Sequence, residues 1–166
     1  MIAVSYIDST LRELDKLYLE STSQKKAIYY SKLALIELCG WIEESLDDII
    51  LRHANRHLKN PNNKDYCKNS IIKPNYGFQY RRNIRPMLIS LIGLIELEKL
   101  EKELEKTAQI TLLTGHLGNI KDSRNTAAHT HLKGVTRRFN APSRTIGDFN
   151  RIKPILFKIE EELKKK

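Results

Sequence analysis

Leu35-Ile36-Glu37-Leu38-Cys39-Gly40-Trp41-Ile42-Glu43-Glu44-Ser45-Leu46-Asp47-Asp48-Ile49 decides how the chain folds, because its apolar residues recur at helical rather than strand spacing. Ile28, Leu35, Cys39, Ile42, Leu46 and Ile49 step by sevens, fours and threes, which places them on one stripe of a single helix. The pattern predicts a helix from about Gln24 to Lys59, and it holds across Gly40. At 1.5 Å per residue such an element is roughly 50 Å long, enough to be the spine of a bundle.

Upstream, Leu11, Leu14, Leu17 and Tyr18 predict a first helix capped by Asp8, Ser9 or Thr10, and Ser21-Thr22-Ser23 breaks it. Downstream, periodicity vanishes from Asn60 to Gln79, where Asn60-Pro61-Asn62-Asn63 and Lys73-Pro74-Asn75-Tyr76-Gly77 are turn chemistry. A plain connection of that length is unusual, so it reads as functional or mobile. A third helix starts near Asn83 with Pro86 in its first turn. Met87 to Ile95 is apolar on nearly every side and is expected to be central. Thr107 to Thr114 reads as a short helix, joined through Gly115 and Gly118 to another over Leu117 to Thr130. Gly134 and Pro142 bracket a basic loop holding Lys133, Arg137, Arg138 and Arg144. Ile146, Phe149, Ile152, Ile155, Leu156, Ile159 and Leu163 form a last amphipathic helix, which Pro154 is expected to kink. The reading is all-α: an up-and-down bundle of four to five main helices with a long second helix.

The 166 residues, 40% of them hydrophobic, suit one domain over 1–166 with one core. A formal charge of +9 points to a polyanionic partner, since neutralised phosphates release counterions. The terminal Lys164-Lys165-Lys166 reads as a solvated tail instead. Cys39 and Cys67 form no disulfide framework or zinc motif. The N-terminus lacks the pattern of a signal peptide, and no apolar stretch approaches bilayer length, so the expectation is a cytoplasmic protein without membrane contact.

Asp122-Ser123-Arg124-Asn125-Thr126-Ala127-Ala128-His129-Thr130-His131 is the segment whose residues look chosen for chemistry. Asn125 and His129 are four apart, so on a helix the amide can hold the imidazole in one orientation. Arg124 beside that face supplies a permanent cation, and His129 a group that titrates near neutrality. Phosphodiester cleavage needs such a pair: the cation stabilises charge developing on phosphate, while the imidazole moves a proton. Ala127 and Ala128 present almost no side chain, which would let another helix approach.

Arg124-Asn125-x-x-x-His129 resembles the R-x(4–6)-H signature of HEPN domains, including the polar residue directly after the Arg. Its position ahead of one closing amphipathic helix agrees. Leu38-Cys39-Gly40-Trp41-Ile42-Glu43-Glu44-Ser45-Leu46 resembles the long early helix of the subgroup associated with RiboL-PSP toxins. The likeness covers most of the chain in architecture but only six positions in specific residues.

The resemblance implies a HEPN-like bundle that forms a homodimer, in which two Arg/His motifs meet as one composite, metal-independent ribonuclease site. Arg124 is then the phosphate-binding cation, His129 the acid/base and Asn125 the orienting group; His131, which helical spacing aligns with Arg124, is a candidate helper. RNA is the expected substrate, cut by attack of its own 2′-hydroxyl, and no cofactor or metal is called for. Lys121, Lys133, Arg137, Arg138 and Arg144 are the expected RNA-binding cations. A toxin or antiviral-defence role would bring an antitoxin or other regulatory partner. One departure stands out: some members carry Tyr two residues after the His, where a partner can modify it, and His131 occupies that position here. The rivals are a catalytically silent HEPN module for dimerisation or nucleic-acid binding, and an unrelated basic helical nucleic-acid binder.

Three weaker groups have plainer readings. His53 and His57 have metal-site spacing, but no third ligand accompanies them and Arg52 and Arg56 would repel a cation, so they read as a basic face. Glu43, Glu44, Asp47 and Asp48 read as surface carboxylates, although the resemblance sometimes brings an acid of this helix towards the site. Tyr80-Arg81-Arg82-Asn83-Ile84-Arg85 could stack a base and hold phosphates, or simply start a basic helix.

Overall fold

The structure, a computed structural model, describes residues 2–128 and 139–166. Among them there is no strand; the elements are α1 (Ser5–Leu19), α2 (Gln24–His57), α3 (Pro61–Tyr66), α4 (Arg85–Glu105), α5 (Gln109–Ala128) and α6 (Pro142–Lys164). No described helix is long and apolar enough to cross a membrane.

The 34-residue α2 is the spine, and α1, α4, α5 and α6 all pack against it. Its buried side chains include Ala34, Leu38, Cys39, Ile42, Leu46, Ile49 and Ile50, a stripe that runs past the exposed Gly40 without interruption. α1 starts at Ser5 with no side-chain cap, so the expected caps are not used. Asp8 instead sits in the first turn, where a negative charge suits the helix dipole, and binds Arg12 at 2.8 Å. Ile7, Leu11 and Leu14 are buried, whereas Leu17 faces solvent. α1, α2 and α6 meet where the Trp41 indole N–H donates to the Ala3 carbonyl at 2.7 Å. The Phe149 ring packs edge-on against Trp41, with centroids 4.9 Å apart.

The segment read as a structureless loop is largely helical. Asn60 accepts a hydrogen bond from the Asn62 N–H at 2.9 Å, and Pro61 takes the first helical position, so α3 carries both helix-start devices. The helix then widens into a π-turn over Cys67–Ile72 that buries Cys67. Phe78 is also buried. The chain turns at Gly77 (φ 112°), where a Cβ would stand 3.2 Å from Asn83 Oδ1. That Asn83 amide accepts from the Gln79 N–H at 2.9 Å and donates to Asn75 Oδ1 and the Tyr76 carbonyl, both at 3.0 Å.

α4 follows a second π-turn, Tyr80–Ile84, and Pro86 lies in its first turn as expected. The expectation that Met87 to Ile95 is central holds only ahead of Gly93, where Ile89, Leu91 and Ile92 also pack against the core. Gly93 interrupts α4 with φ 76° and ψ 163°, a backbone state open essentially to glycine alone. The break rotates the apolar run out of phase: Met87 and Leu88 are buried, yet Leu94 is 55% exposed and Ile95 74%. Burial resumes at Leu97, Leu100 and Leu104.

α5 is one helix, not two joined at the glycines. Leu113, Leu117, Ile120 and Ala127 share a buried face that carries it through Gly115 and Gly118. Two corrections concern α6. Arg144 belongs to its first turn rather than to a loop, because Pro142 starts the helix. The helix also runs on through Pro154, where the lost hydrogen bond is offset by burial of Ile152, Ile155, Leu156 and Ile159 on either side.

Candidate active site

Of the motif, residues up to Ala128 are described; His129 and His131 lie outside the described residues, as do Lys133, Arg137 and Arg138. Arg124 lies on the side of α5 that meets α2. Its Nη2 is 3.6 Å from Glu43 Oε1, with the two side chains 41% and 31% exposed. That distance makes an ion pair but not a hydrogen bond. Glu43 Oε1 is buried with no hydrogen-bond partner among the described residues. The guanidinium is thus held in place by charge while its N–H donors make no hydrogen bond among the described residues, the state in which it can fork onto a phosphate.

Two neighbours on α2 define the electrostatics. Cys39, one turn before Glu43, is buried, and burial pushes its thiol up to about 12 although Arg124 pulls the other way. A thiol held protonated is neither nucleophile nor metal ligand. Asp47, one turn after Glu43, is pushed up to about 6, first by burial and then by Glu44, Glu43 and Asp48. Among the described residues, Arg124 therefore meets Glu43 alone of these carboxylates, with Asp47 one turn farther along α2.

Asp47 yields a pH prediction. A carboxyl with a raised pKa binds its proton more tightly in the folded chain, so its stabilising contribution is fully present below the unfolded value of 3.8 and lost as pH rises through about 6. Asp47→Asn should therefore raise the melting temperature at neutral pH and leave it nearly unchanged at about pH 4. Thermal melts across that range check this, and a pH-independent difference between the two proteins contradicts it.

The other motif residues divide. Asn125 is exposed. Ala127 is buried in the core at 2% exposure and Ala128 is exposed, so the two do not form one smooth patch; consecutive helical residues point about 100° apart. Lys121 pairs with Asp122 at 3.1 Å. Arg144 stands 3.8 Å from Asp148, a carboxylate it shares with Arg151 at 3.5 Å. Asp122 and Arg144 line one cleft between α5 and the start of α6; Lys121 is not among its lining residues.

The weaker groups resolve towards structural roles. His53 Nδ1 sits 3.1 Å from the Leu163 carbonyl, its ring stacks on His57 with centroids 4.4 Å apart, and burial pushes its pKa down. Tyr80 is buried, its hydroxyl donating to Glu101 at 2.8 Å, and Arg85 binds the same carboxylate at 2.8 Å. Tyr80 is thereby unavailable to stack on a base. Glu43 is the residue that the plain reading of the sequence undervalued. Its signal was a place at the edge of the buried Cys39, Ile42 and Leu46 stripe, where a carboxylate is carried under the neighbouring helix.

No family model, no curated protein and no solved structure matches the chain.

Proposed function

We infer that the protein is a metal-independent endoribonuclease of the HEPN type, working as a homodimer in toxin or antiviral defence. The observation that carries this reading is Arg124: motif cation, partly exposed, anchored by Glu43 at 3.6 Å and free of hydrogen bonds among the described residues. In the reaction, the ribose 2′-oxygen gives its proton to one His129 and attacks the phosphorus. The bond from phosphorus to the 5′-oxygen breaks, and the leaving oxygen takes a proton from the second chain's His129. The products are a 2′,3′-cyclic phosphate and a 5′-hydroxyl. Arg124 stabilises the extra negative charge that phosphate oxygens carry at the transition state.

Incubating the purified protein with total RNA in excess EDTA tests the chemistry. Cleavage persists, with cyclic-phosphate and 5′-hydroxyl ends. Activity lost to the chelator and restored by Mg²⁺ or Zn²⁺ overturns the mechanism. A composite site also requires two chains, so light scattering at micromolar concentration gives about twice the 19.3 kDa chain mass. An active monomer would contradict it.

The second reading is a catalytically silent module of the same type. What favours it is the same contact: Glu43 competes with phosphate for Arg124.

A further inference from the structure

The cleft between α5, α2 and the start of α6 encloses about 320 Å³, the low end of small-ligand pockets and room for a single flat ring system with its sugar. Its floor is deep: Ser31 is 2% exposed, Ile120 3% and Thr145 5%. One wall is the Phe139 ring, and Leu35 adds apolar surface. Polar side chains complete the lining. Asn60 and Asn83 spend their amides on the fold, whereas the exposed Asn119 and Asn140 do not. Here Asn119, Asn140, Ser123, Ser31 and Thr145 all face the cleft, and none of their side chains makes a hydrogen bond among the described residues. Hydroxyls at the floor of a cleft with no partner among the described residues are free to bond a ligand there.

The mouth is basic. Arg144 and Arg151 share the single carboxylate of Asp148, which leaves one positive charge over. The α6 N-terminus beside it has no side-chain cap. An aromatic wall, amides that offer donor and acceptor side by side, and a cation at the rim together suit a nucleotide.

We propose that this cleft receives one unstacked nucleobase of single-stranded RNA, read by Asn119 and the Thr145 hydroxyl, with the adjoining phosphate on Arg144. A base within a duplex cannot reach a floor so deep, so the RNA must be single-stranded there. Ser123 lines the cleft and Arg124 follows it on α5, so the base in the cleft lies close in sequence to the phosphate on Arg124. The inference rests on the ribonuclease reading only in taking RNA as the ligand.

The test uses labelled, uncleavable 2′-O-methyl hexanucleotides of each of the four bases, with affinity read by fluorescence anisotropy. The wild-type protein should favour one base by at least about fivefold, the scale set by leaving buried polar groups unpaired. Asn119→Leu and Thr145→Val should each bring that oligonucleotide down to the affinity of the others. Arg144→Ala should weaken all four and reduce the salt slope by about one. Asn119 is exposed and the Thr145 change keeps side-chain shape, so helical circular dichroism should be unchanged in both. Equal binding of all four by the wild type overturns the proposal, as does a preference that both variants retain. A nucleoside monophosphate that binds as tightly as the hexanucleotide overturns it in favour of a free nucleotide. Cleavage of RNA without base preference sinks the cleft and leaves the ribonuclease standing. Selective binding that both variants abolish, in a protein that never cuts RNA, sustains the cleft and sinks the ribonuclease.

Discussion

His129→Ala should slow RNA cleavage by about 10²–10⁴-fold, the usual loss for a general acid or base, and leave RNA binding nearly intact. The imidazole is the motif's group able to exchange a proton near neutrality, and in its neutral form it attracts phosphate only weakly. Arg124→Ala should differ in kind by costing affinity as well as rate, because its charge acts on phosphate before and during the reaction. His131→Ala should cost less than about tenfold if His131 only assists. The three variants must match the wild type in helical circular dichroism and melting temperature. A folded His129→Ala protein that cuts RNA at the wild-type rate would reduce the motif to a coincidence of spacing, and the binding-module reading would replace the enzyme.

Phe149→Ala should destabilise the fold by about 3–5 kcal/mol, the range for removing a buried aromatic ring. Phe149 is fully buried and packs edge-on against Trp41, so its loss empties the place where α1, α2 and α6 converge. Phe149→Leu should cost less, since most of the volume stays filled. Denaturant titration with an unchanged slope against denaturant gives the number directly. A loss below about 1 kcal/mol would show that the junction collapses around the gap, or that it is not where cohesion resides.

How far these features could be read from the sequence depended on whether the signal was local. The spine was readable because Leu35, Cys39, Ile42, Leu46 and Ile49 declare one helical face within a few turns. α3 was missed although its signal was present: Asn60-Pro61 is a helix start as much as a turn, and no apolar periodicity followed to choose between them. The continuity of α5 was also there to read, since Leu113, Leu117 and Ile120 keep their spacing across Gly115 and Gly118. Leu94 and Ile95 escaped the expected burial for another reason. Hydrophobicity says which residues prefer burial, but the backbone state of Gly93 decided which of them obtained it. Within the site, Arg124 stood out by its neighbours in the chain. Glu43 could not, because its approach to Arg124 is set by how α5 lies on α2.

The protection of Cys39 makes this molecule carry its own chemical clock. Both cysteines are buried, and burial pushes both thiols above their ordinary pKa. An alkylating reagent therefore finds neither thiolate nor accessible sulfur until some part of the chain opens. In a Cys67→Ser protein the single remaining thiol sits on α2 close enough to feel the charges of both Arg124 and Glu43. Its rate of alkylation then counts how often the packing around Cys39 on α2 opens, and repeating the measurement with RNA present tells whether substrate holds that packing closed.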